Sequence, residues 1–465
     1  MYRVSKMYRN LRLNSRVFHG TVIGLILISI IFVASILNFR ISNIVNSWEG
    51  KVYNGVSING VDVSGLSKVS LSEFLLEEFS EPTKEGKVKF TLGDKVLEVS
   101  YKELGLTYDY DKAIVEAFNF SEDFSYYEKV NQIFNPKKSL NITLEEKFDA
   151  NKVIDILYEK LSNTFNVSPV DAKASIVNGQ VVVTESSSGI EVDKEALIKM
   201  INDSTPNSAS QNGFEVPTKS VDPRISSDVL GKINGKLGSY TTTFKSSSKE
   251  RATNVELSAN VINGVLLMPG ESFSFNKTVG PRTRERGYKD AAIIVGDVYE
   301  SGLGGGICQT SSTLHQAVIR SGIIPTQRKN HSLPTSYMPL GFDAVVAWGS
   351  LDYVFKNPYD FPILIDVSTA NRTLTISIYG DVTLVDKTYS MESETYESVP
   401  YTTKEVKDNT LSKGQKVVKK NGVNGTKVNV YLLVSDKQTG KLLEKKLLWK
   451  DYYLPQQKVV HVGTK

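Results

Sequence analysis

Cysteine is nearly missing from this chain: one residue, Cys308, in 465. A lone cysteine excludes an intrachain disulfide and any zinc site built from several thiolates. Histidine is almost as scarce, with only His19, His315, His331 and His461, so a histidine-based metal centre is poorly supplied and neither metal nor cofactor is expected. An excess of positive charge is also lacking once its distribution is considered. The net charge is +4, but removing Arg3, Lys6, Arg9, Arg12 and Arg16 from the 55 basic residues leaves 50 against 51 acidic ones. That balance excludes a nucleic-acid binder recognised by charge.

The five basic residues belong to a tail, 1–16, followed by an almost wholly apolar run, 17–39, long enough to cross a bilayer as one helix. Basic residues ahead of the run place the N-terminus in the cytoplasm and the bulk of the chain outside the cell, in the cell-wall space. A cleaved signal peptide is the alternative. The run exceeds the ~7–15 residues of a signal's apolar segment and no convincing small-residue cleavage site follows, which favours a retained single-pass anchor. An unpaired thiol exported in this way is either half of an intermolecular bridge or a free reactive group.

That thiol sits in the stretch Ser301 to His315, directly after Gly304, Gly305 and Gly306. Leu314, Val318 and Ile319 follow at helical spacing, with a stop at Gly322. The pattern predicts a helix entered from a glycine loop with Cys308 in its first turn. Unpaired N–H groups and the positive end of the helix dipole favour thiolate there, and the same groups can hold an oxyanion. The alternative is a small apolar residue in a closely packed corner.

Upstream, 55–107 reads as β-rich with a turn at Asn59-Gly60, a short helix at 70–79 and a hairpin turning at Gly93-Asp94. A second copy of a small α+β plan follows: a helix over 149–161, a hairpin over 172–185 turning at Asn178-Gly179, and Gly189 to Asp193 leading into a helix over 194–201. The segments 104–114 and 188–198 pair as an internal repeat, and the proline-bearing stretch 204–223 reads as a boundary. Here the chain resembles the peptidoglycan-binding repeats that precede VanW domains in Gram-positive surface proteins, over 50–225; a plain spacer is the alternative.

The motifs Arg-Ala-Thr-Asn-Val-Glu-Leu-Ser-Ala-Asn (251–260), Leu-Met-Pro-Gly-Glu-Ser-Phe-Ser-Phe-Asn (267–276), Val-Gly-Pro-Arg-Thr (279–283), Gly-Gly-Gly-Ile-Cys-Gln (304–309) and Asn-His-Ser-Leu-Pro (330–334) stand in order. Together they resemble a VanW domain over 237–381. Residues 385–465, with alternating strands and turns at Asn421-Gly422 and Asn424-Gly425, resemble a G-five domain, which implies glycan contact or a spacer. The fold class expected is α+β throughout, with a β-rich C-terminal module.

A cysteine nucleophile needs a base within reach and a group to orient that base. His315 lies seven residues after Cys308, about two helical turns or ~10 Å along the axis, too far for direct pairing. His331, in a loop, is the preferred base. Asp343 is the preferred orienting residue, with Asp352, Asn330 and Ser332 as alternatives. Gly305, Gly306, Ser311, His315 and Trp348 are expected to line the groove, alongside the candidate aromatics Tyr337 and Tyr353. Arg282, of the cluster Arg282, Arg284 and Arg286, is the expected holder of stem-peptide carboxylates.

The architecture is similar to that of membrane-anchored VanW-type L,D-transpeptidases of clostridia. The resemblance implies that Cys308 attacks the carbonyl between the third residue and the terminal D-alanine of a tetrapeptide stem. The side-chain amine of another stem then resolves the acyl-enzyme into a three-to-three cross-link. The Ser-His-Gly-Cys signature of YkuD-type L,D-transpeptidases is absent, so no base assignment is carried from them. Two alternatives remain: a cysteine peptidase or amidase on the same stems, and a non-catalytic wall-binding protein.

Overall fold

The computed structural model describes residues 2–79, 82, 84–295 and 298–465, with side chains from residue 18 onward except at 295, 298 and 299. The chain forms two compact units, 1–168 with 190–221, and 169–189 with 222–465. Each is α+β, and the C-terminal part of the second is all strand.

The first unit begins with one helix, Tyr2–Ser47. Its portion Phe18–Ser47 is long and apolar enough to cross a membrane, and Ile23, Leu25, Ile28, Ile31 and Phe32 on it are all exposed. Two small cores follow. In the first, strands Val56–Ile58, Val61–Asp62 and Leu140–Ile142 form a sheet beneath helices Lys68–Glu78 and Tyr110–Asn119, burying Val56, Ile58, Leu71, Leu75, Ile114 and Ile142. In the second, the hairpin Lys87–Leu92 and Lys95–Ser100 pairs with Phe214–Glu215 and packs under helices Ile154–Phe165 and Lys194–Asn202.

The paired segments of the internal repeat adopt the same local form. Strand Leu106–Tyr108 leads to Asp109, whose carboxylate accepts from the Lys112 N–H at 3.3 Å; strand Gly189–Val192 leads to Asp193, which accepts from the Ala196 N–H at 3.0 Å. Such a cap satisfies an otherwise orphaned helix donor and contributes about 1 kcal/mol.

One expectation needs correction. The hairpin expected to complete the second copy, Ala174–Val177 with Gln180–Val183, does not join the first unit. Its apolar face, Ile176, Val181 and Val183, needs cover and finds it on Leu230, Ile233, Leu364 and Tyr379 of the second unit. The stretch 204–223, expected to be a boundary, contains the end of the first unit at 221 and is itself structured. Pro206 stands at the first helical position, where its missing N–H costs nothing, and Thr205 caps the helix Pro206–Asn212.

The second unit is built on a four-stranded antiparallel sheet in the order Gly235–Thr243, Thr373–Gly380, Ile363–Ser368, Leu266–Leu267. Helices Lys249–Ile262 and Ile307–Arg320 pack on it, enclosing Val255, Ala259, Leu314, Val318, Ile363, Ile365, Leu374 and Ile376. A hairpin, Asp290–Val295 with Val298–Leu303, delivers the chain to the second helix. The C-terminal module has two three-stranded sheets, one of Lys387–Val399, Gly425–Asp436 and Leu442–Tyr453, the other of Thr403–Asp408, Lys458–Gly463 and Lys416–Lys420. The first sheet buries Met391, Val428, Val430 and Leu432 against Ile319 at the end of the cysteine helix.

Candidate active site

Glycines bring the thiol to its place. A Cβ on Gly305 would stand 2.6 Å from the Ala291 and Ala292 carbonyl oxygens, and one on Gly306, whose φ is +109°, would press on the Arg251 side chain at 2.9 Å. A larger residue at either position would lift the loop and move the cysteine with it. Helix Ile307–Arg320 starts from Gly306 with no side-chain cap, so the positive end of its dipole lies beside Cys308, in the first turn. The Ile307 and Gln309 N–H groups turn back to Gly304 O at 3.3 Å and Gly306 O at 2.9 Å. The Cys308 N–H is then the helix-terminal donor next to the thiol.

Cys308 is half-buried, with Sγ 3.4 Å from the Val346 carbonyl oxygen, and His331 lines the same cleft, close enough to act on the thiol. The other side of the imidazole is fixed: Nδ1 lies 2.5 Å from Asp343 Oδ2, which also accepts the His331 backbone N–H at 2.7 Å. A carboxylate at Nδ1 makes that nitrogen the donor, leaving Nε2 for the sulfur. Tyr453 donates to Asp343 Oδ1 at 2.5 Å, and Arg328 Nη2 stands 3.5 Å from the same oxygen. Asp343 is 1% exposed.

The electrostatics follow from these contacts. Burial opposes charge on His331, but its hydrogen bonds to Asp343 and Cys308, and their negative charge, outweigh it and raise the imidazole to about 10. Burial likewise opposes ionisation of Asp343; the hydrogen bond and charge of His331, with Arg328 and Tyr453, outweigh it and hold the carboxyl at about 2. For Cys308, burial is offset by the hydrogen bond and charge of His331, the Val346 backbone and Arg282, and the thiol is lowered. The shifts run in opposite senses, the thiol down and the imidazole up, so both favour charge separation between them, with the Asp343 carboxylate behind the ring.

The thiol opens into a cleft of about 1080 Å³ lined by Gly305, Gly306, Arg251, Arg282, Tyr337 and Trp348, among others. No acidic side chain stands among its described lining residues. Arg282 lies between Phe275 and Trp348, its carbon centre 5.8 Å and 5.6 Å from the two rings, and donates from Nη1 to Gly280 O at 3.0 Å. Its Nη2 is buried without a partner. Arg251, held by Ser247 at 2.7 Å and Gln309 at 2.9 Å, stands over Tyr337. Trp348 is 53% exposed at the rim.

Not every expected residue reaches the cleft. Ser311 and His315 are wholly buried and are not among the residues lining it: Ser311 lies against the Ala344 backbone and His315 against Tyr353 and Trp449. Ser311 donates to Ala344 O at 2.6 Å. His315 packs between Tyr353, whose hydroxyl is 3.2 Å from Nδ1, and Trp449, and burial keeps it neutral, well below its ordinary pKa. Tyr353 is likewise core. Asp352 bonds Ser274 Oγ and the Asn276 N–H, and Asn330 donates to His331 O and Tyr452 O, so neither orients the imidazole. Arg284 pairs with Asp290 at 2.7 Å on the surface, and Arg286 is exposed.

Arg251, Arg328 and Tyr453 escape the sequence reading. Arg328, three residues before His331, had a local signal in the motif-rich loop. Tyr453 had none.

Comparison with known proteins places these features. Residues 250–379 match the family model described as "VanW like protein", residues 97–212 the one described as "Putative peptidoglycan binding domain", and residues 391–465 the one described as "G5 domain". The chain is 45% identical over 168 residues to "Uncharacterized protein YoaR" of Bacillus subtilis, covering 36% of this chain and 55% of that protein. It is 28% identical over 159 residues to "Vancomycin B-type resistance protein VanW" of Enterococcus faecalis, covering 33% of this chain and 58% of that one. The chain therefore spans a little over half the length of these curated relatives. Among solved structures it is similar to "IgA1 Protease G5 domain structure", at 19% identity and a TM-score of 0.13, covering 18% of this chain and 96% of that one. A VanW-like region, a match to a peptidoglycan-binding domain and a C-terminal G-five region are thus combined behind a long apolar helix, an arrangement that suggests a cell-envelope location outside the cytoplasm.

Proposed function

We propose that the cleft is the active site of a peptidoglycan L,D-transpeptidase that works through a Cys308 acyl-enzyme. The observation that carries this reading is the line Cys308–His331–Asp343 at the floor of an arginine-flanked cleft. The thiolate attacks the carbonyl carbon between the third residue of a tetrapeptide stem and its terminal D-alanine. The Cys308 N–H holds the oxyanion. His331, already protonated, gives its proton to the departing D-alanine amine, and a thioester to the stem remains. An amine on a second stem then attacks the thioester, His331 takes its proton, and the thiolate leaves as the cross-link forms.

Arg282 supports the substrate assignment. A buried guanidinium nitrogen without a partner, beside the nucleophile, suits a carboxylate such as that of the terminal D-alanine. The apolar helix serves in this reading as a single-pass anchor over 17–39, with the N-terminus cytoplasmic and the rest in the wall space. The domains proposed are peptidoglycan-binding modules over 50–225, the catalytic domain over 237–381 and a glycan-contacting module over 385–465. Trp348, exposed at the rim, favours a second reading: water reaching the thioester would make the same residues a cysteine peptidase. Intact-protein mass spectrometry after mixing with disaccharide-tetrapeptide tests the shared first step. A mass increase equal to the substrate less D-alanine, lost in Cys308→Ala, is expected; no adduct under single-turnover conditions overturns the acyl-enzyme.

A further inference from the structure

The strand Leu442–Tyr453 belongs to the C-terminal module, more than a hundred residues beyond the histidine loop, yet its last turn of sequence reaches the site repeatedly. Tyr453 donates to Asp343 Oδ1 at 2.5 Å and accepts the Gly341 N–H at 2.6 Å. Because that amide can only donate, the phenol hydrogen must point at the carboxylate. Asp451 takes Arg328 Nη1 with both oxygens at 2.7 Å, while Arg328 Nε donates to Asp343 O at 2.7 Å and Nη2 to Gly341 O at 3.1 Å. Trp449 lies 4.8 Å from the Arg328 carbon centre. The backbone joins in: the Leu454 N–H donates to Ser332 O at 2.7 Å, and Asn330 donates to Tyr452 O at 3.0 Å.

Apolar packing alone would fasten the module, since Met391, Val428, Val430 and Leu432 bury against Ile319. The polar contacts do something else. They fix one carboxylate oxygen and the loop on either side of the histidine, all in a dry region where Asp451, Arg328, Asp343 and Tyr453 are buried.

We infer that the C-terminal module is a working part of the cysteine site, with Tyr453 and the Asp451–Arg328 pair acting as positioning residues that hold Asp343 against His331. The inference rests on the catalytic reading of Cys308, His331 and Asp343. The groups facing Asp343 are His331 and Arg328, then Tyr453, Asp451, Tyr337 and His315. Tyr453 removes one oxygen of the carboxylate from competition, so that the other is left to the imidazole. Without it, Asp343 is free to rotate toward Arg328, and the imidazolium that stabilises the thiolate loses support.

The test compares the full chain in detergent with Tyr453→Phe, and with Tyr452→Phe as a neighbour whose hydroxyl does not touch Asp343. The rate of Cys308 alkylation by iodoacetamide is followed against pH. Loss of one hydrogen bond to a charged group predicts about a tenfold change in the thiol's ionisation equilibrium in Tyr453→Phe, read as a profile midpoint moved upward by about one pH unit, with Tyr452→Phe matching the parent. A second measurement needs no thiol: in Cys308→Ala, the His331 ring titration followed by NMR moves downward on adding Tyr453→Phe. If Tyr453→Phe melts below the assay temperature, Asp451→Asn replaces it, since freeing Arg328 to turn toward Asp343 predicts shifts of the same sign. Profiles and ring titrations that superimpose on the parent overturn the inference. A parent whose thiol titrates like a free cysteine, ~8.5, overturns the catalytic reading and the inference with it, whereas a shifted parent with an unmoved variant overturns only the inference.

Discussion

Among the described residues two histidine–carboxylate pairs are similar in geometry and different in their surroundings. In the VanW-like region His331 Nδ1 stands 2.5 Å from Asp343; in the C-terminal module His461 Nδ1 stands 2.9 Å from Asp408. Both carboxylates are lowered. Asp408 owes its shift first to the Thr410 side chain and then to His461, at the surface. Asp343 overcomes burial through His331, Arg328 and Tyr453. The His461 side chain is 29% exposed and is not among the described residues lining the cysteine cleft, whereas His331 lines that cleft together with Cys308, Arg251 and Arg282. Pairing with a carboxylate is common; the proposed chemistry needs in addition a dry setting and a thiol beside the ring.

Neutralising each carboxylate breaks the comparison most sharply. Asp343→Asn leaves a buried imidazolium and Arg328 with one carboxylate fewer, so stability is expected to fall by about 3–5 kcal/mol in urea unfolding. Turnover is expected to fall by about 100- to 10,000-fold, as when a base loses its orienting carboxylate. Asp408→Asn is expected to change turnover and the thiol's alkylation rate by nothing measurable. Equal losses from the two variants would mean that the buried setting contributes nothing.

The pH dependence of melting sharpens the same contrast. His331 is raised to about 10 from an unfolded value of ~6.5, so its contribution is complete below ~6.5 and is lost as pH rises through about 10. Asp343, held at about 2, contributes fully above its unfolded ~3.9 and loses that as pH falls through about 2. The melting gap between the parent and His331→Ala is therefore expected to narrow from pH 6.5 toward 10, whereas that between the parent and His461→Ala, measured beside it, serves as the surface reference. A gap independent of pH would contradict the charged pair.

Substrate contact gives smaller effects. Arg282→Gln removes the cleft's uncommitted guanidinium nitrogen, and KM for a tetrapeptide stem is expected to rise about tenfold, the scale of one hydrogen bond to a charged group. Thiol alkylation should slow only slightly, because Arg282 is the last of the influences on Cys308. Arg284→Gln, at the surface pair with Asp290, is expected to leave both within error.

Much of the site was legible locally. A glycine run before a helical pattern places Cys308 in a first turn, and a histidine in a turn-rich loop is free to come to it; both features are set by residues within a few positions of one another. Asp343 was legible only as one of four candidates, since which carboxylate meets the imidazole depends on how the 343–346 segment lies along the helix. Ser311 and His315 share the cysteine's side of the helix by spacing, but the Ala344 backbone covers the first and Tyr353 and Trp449 enclose the second. Tyr453, Asp451 and the cover of the 174–183 hairpin were not legible, because these partners are fixed by packing between segments far apart in sequence, and alternation shows which face is apolar but not what covers it.

The most direct measurement incubates the full-length protein and its Cys308→Ala variant, in detergent, with purified disaccharide-tetrapeptide and reads the products by mass spectrometry. A dimer lacking one D-alanine, formed only when Cys308 is present, is the result predicted for a transpeptidase. Unchanged tetrapeptide in both samples, with the protein folded and the stem bound, would contradict the account and leave a protein that recognises the wall without acting on it.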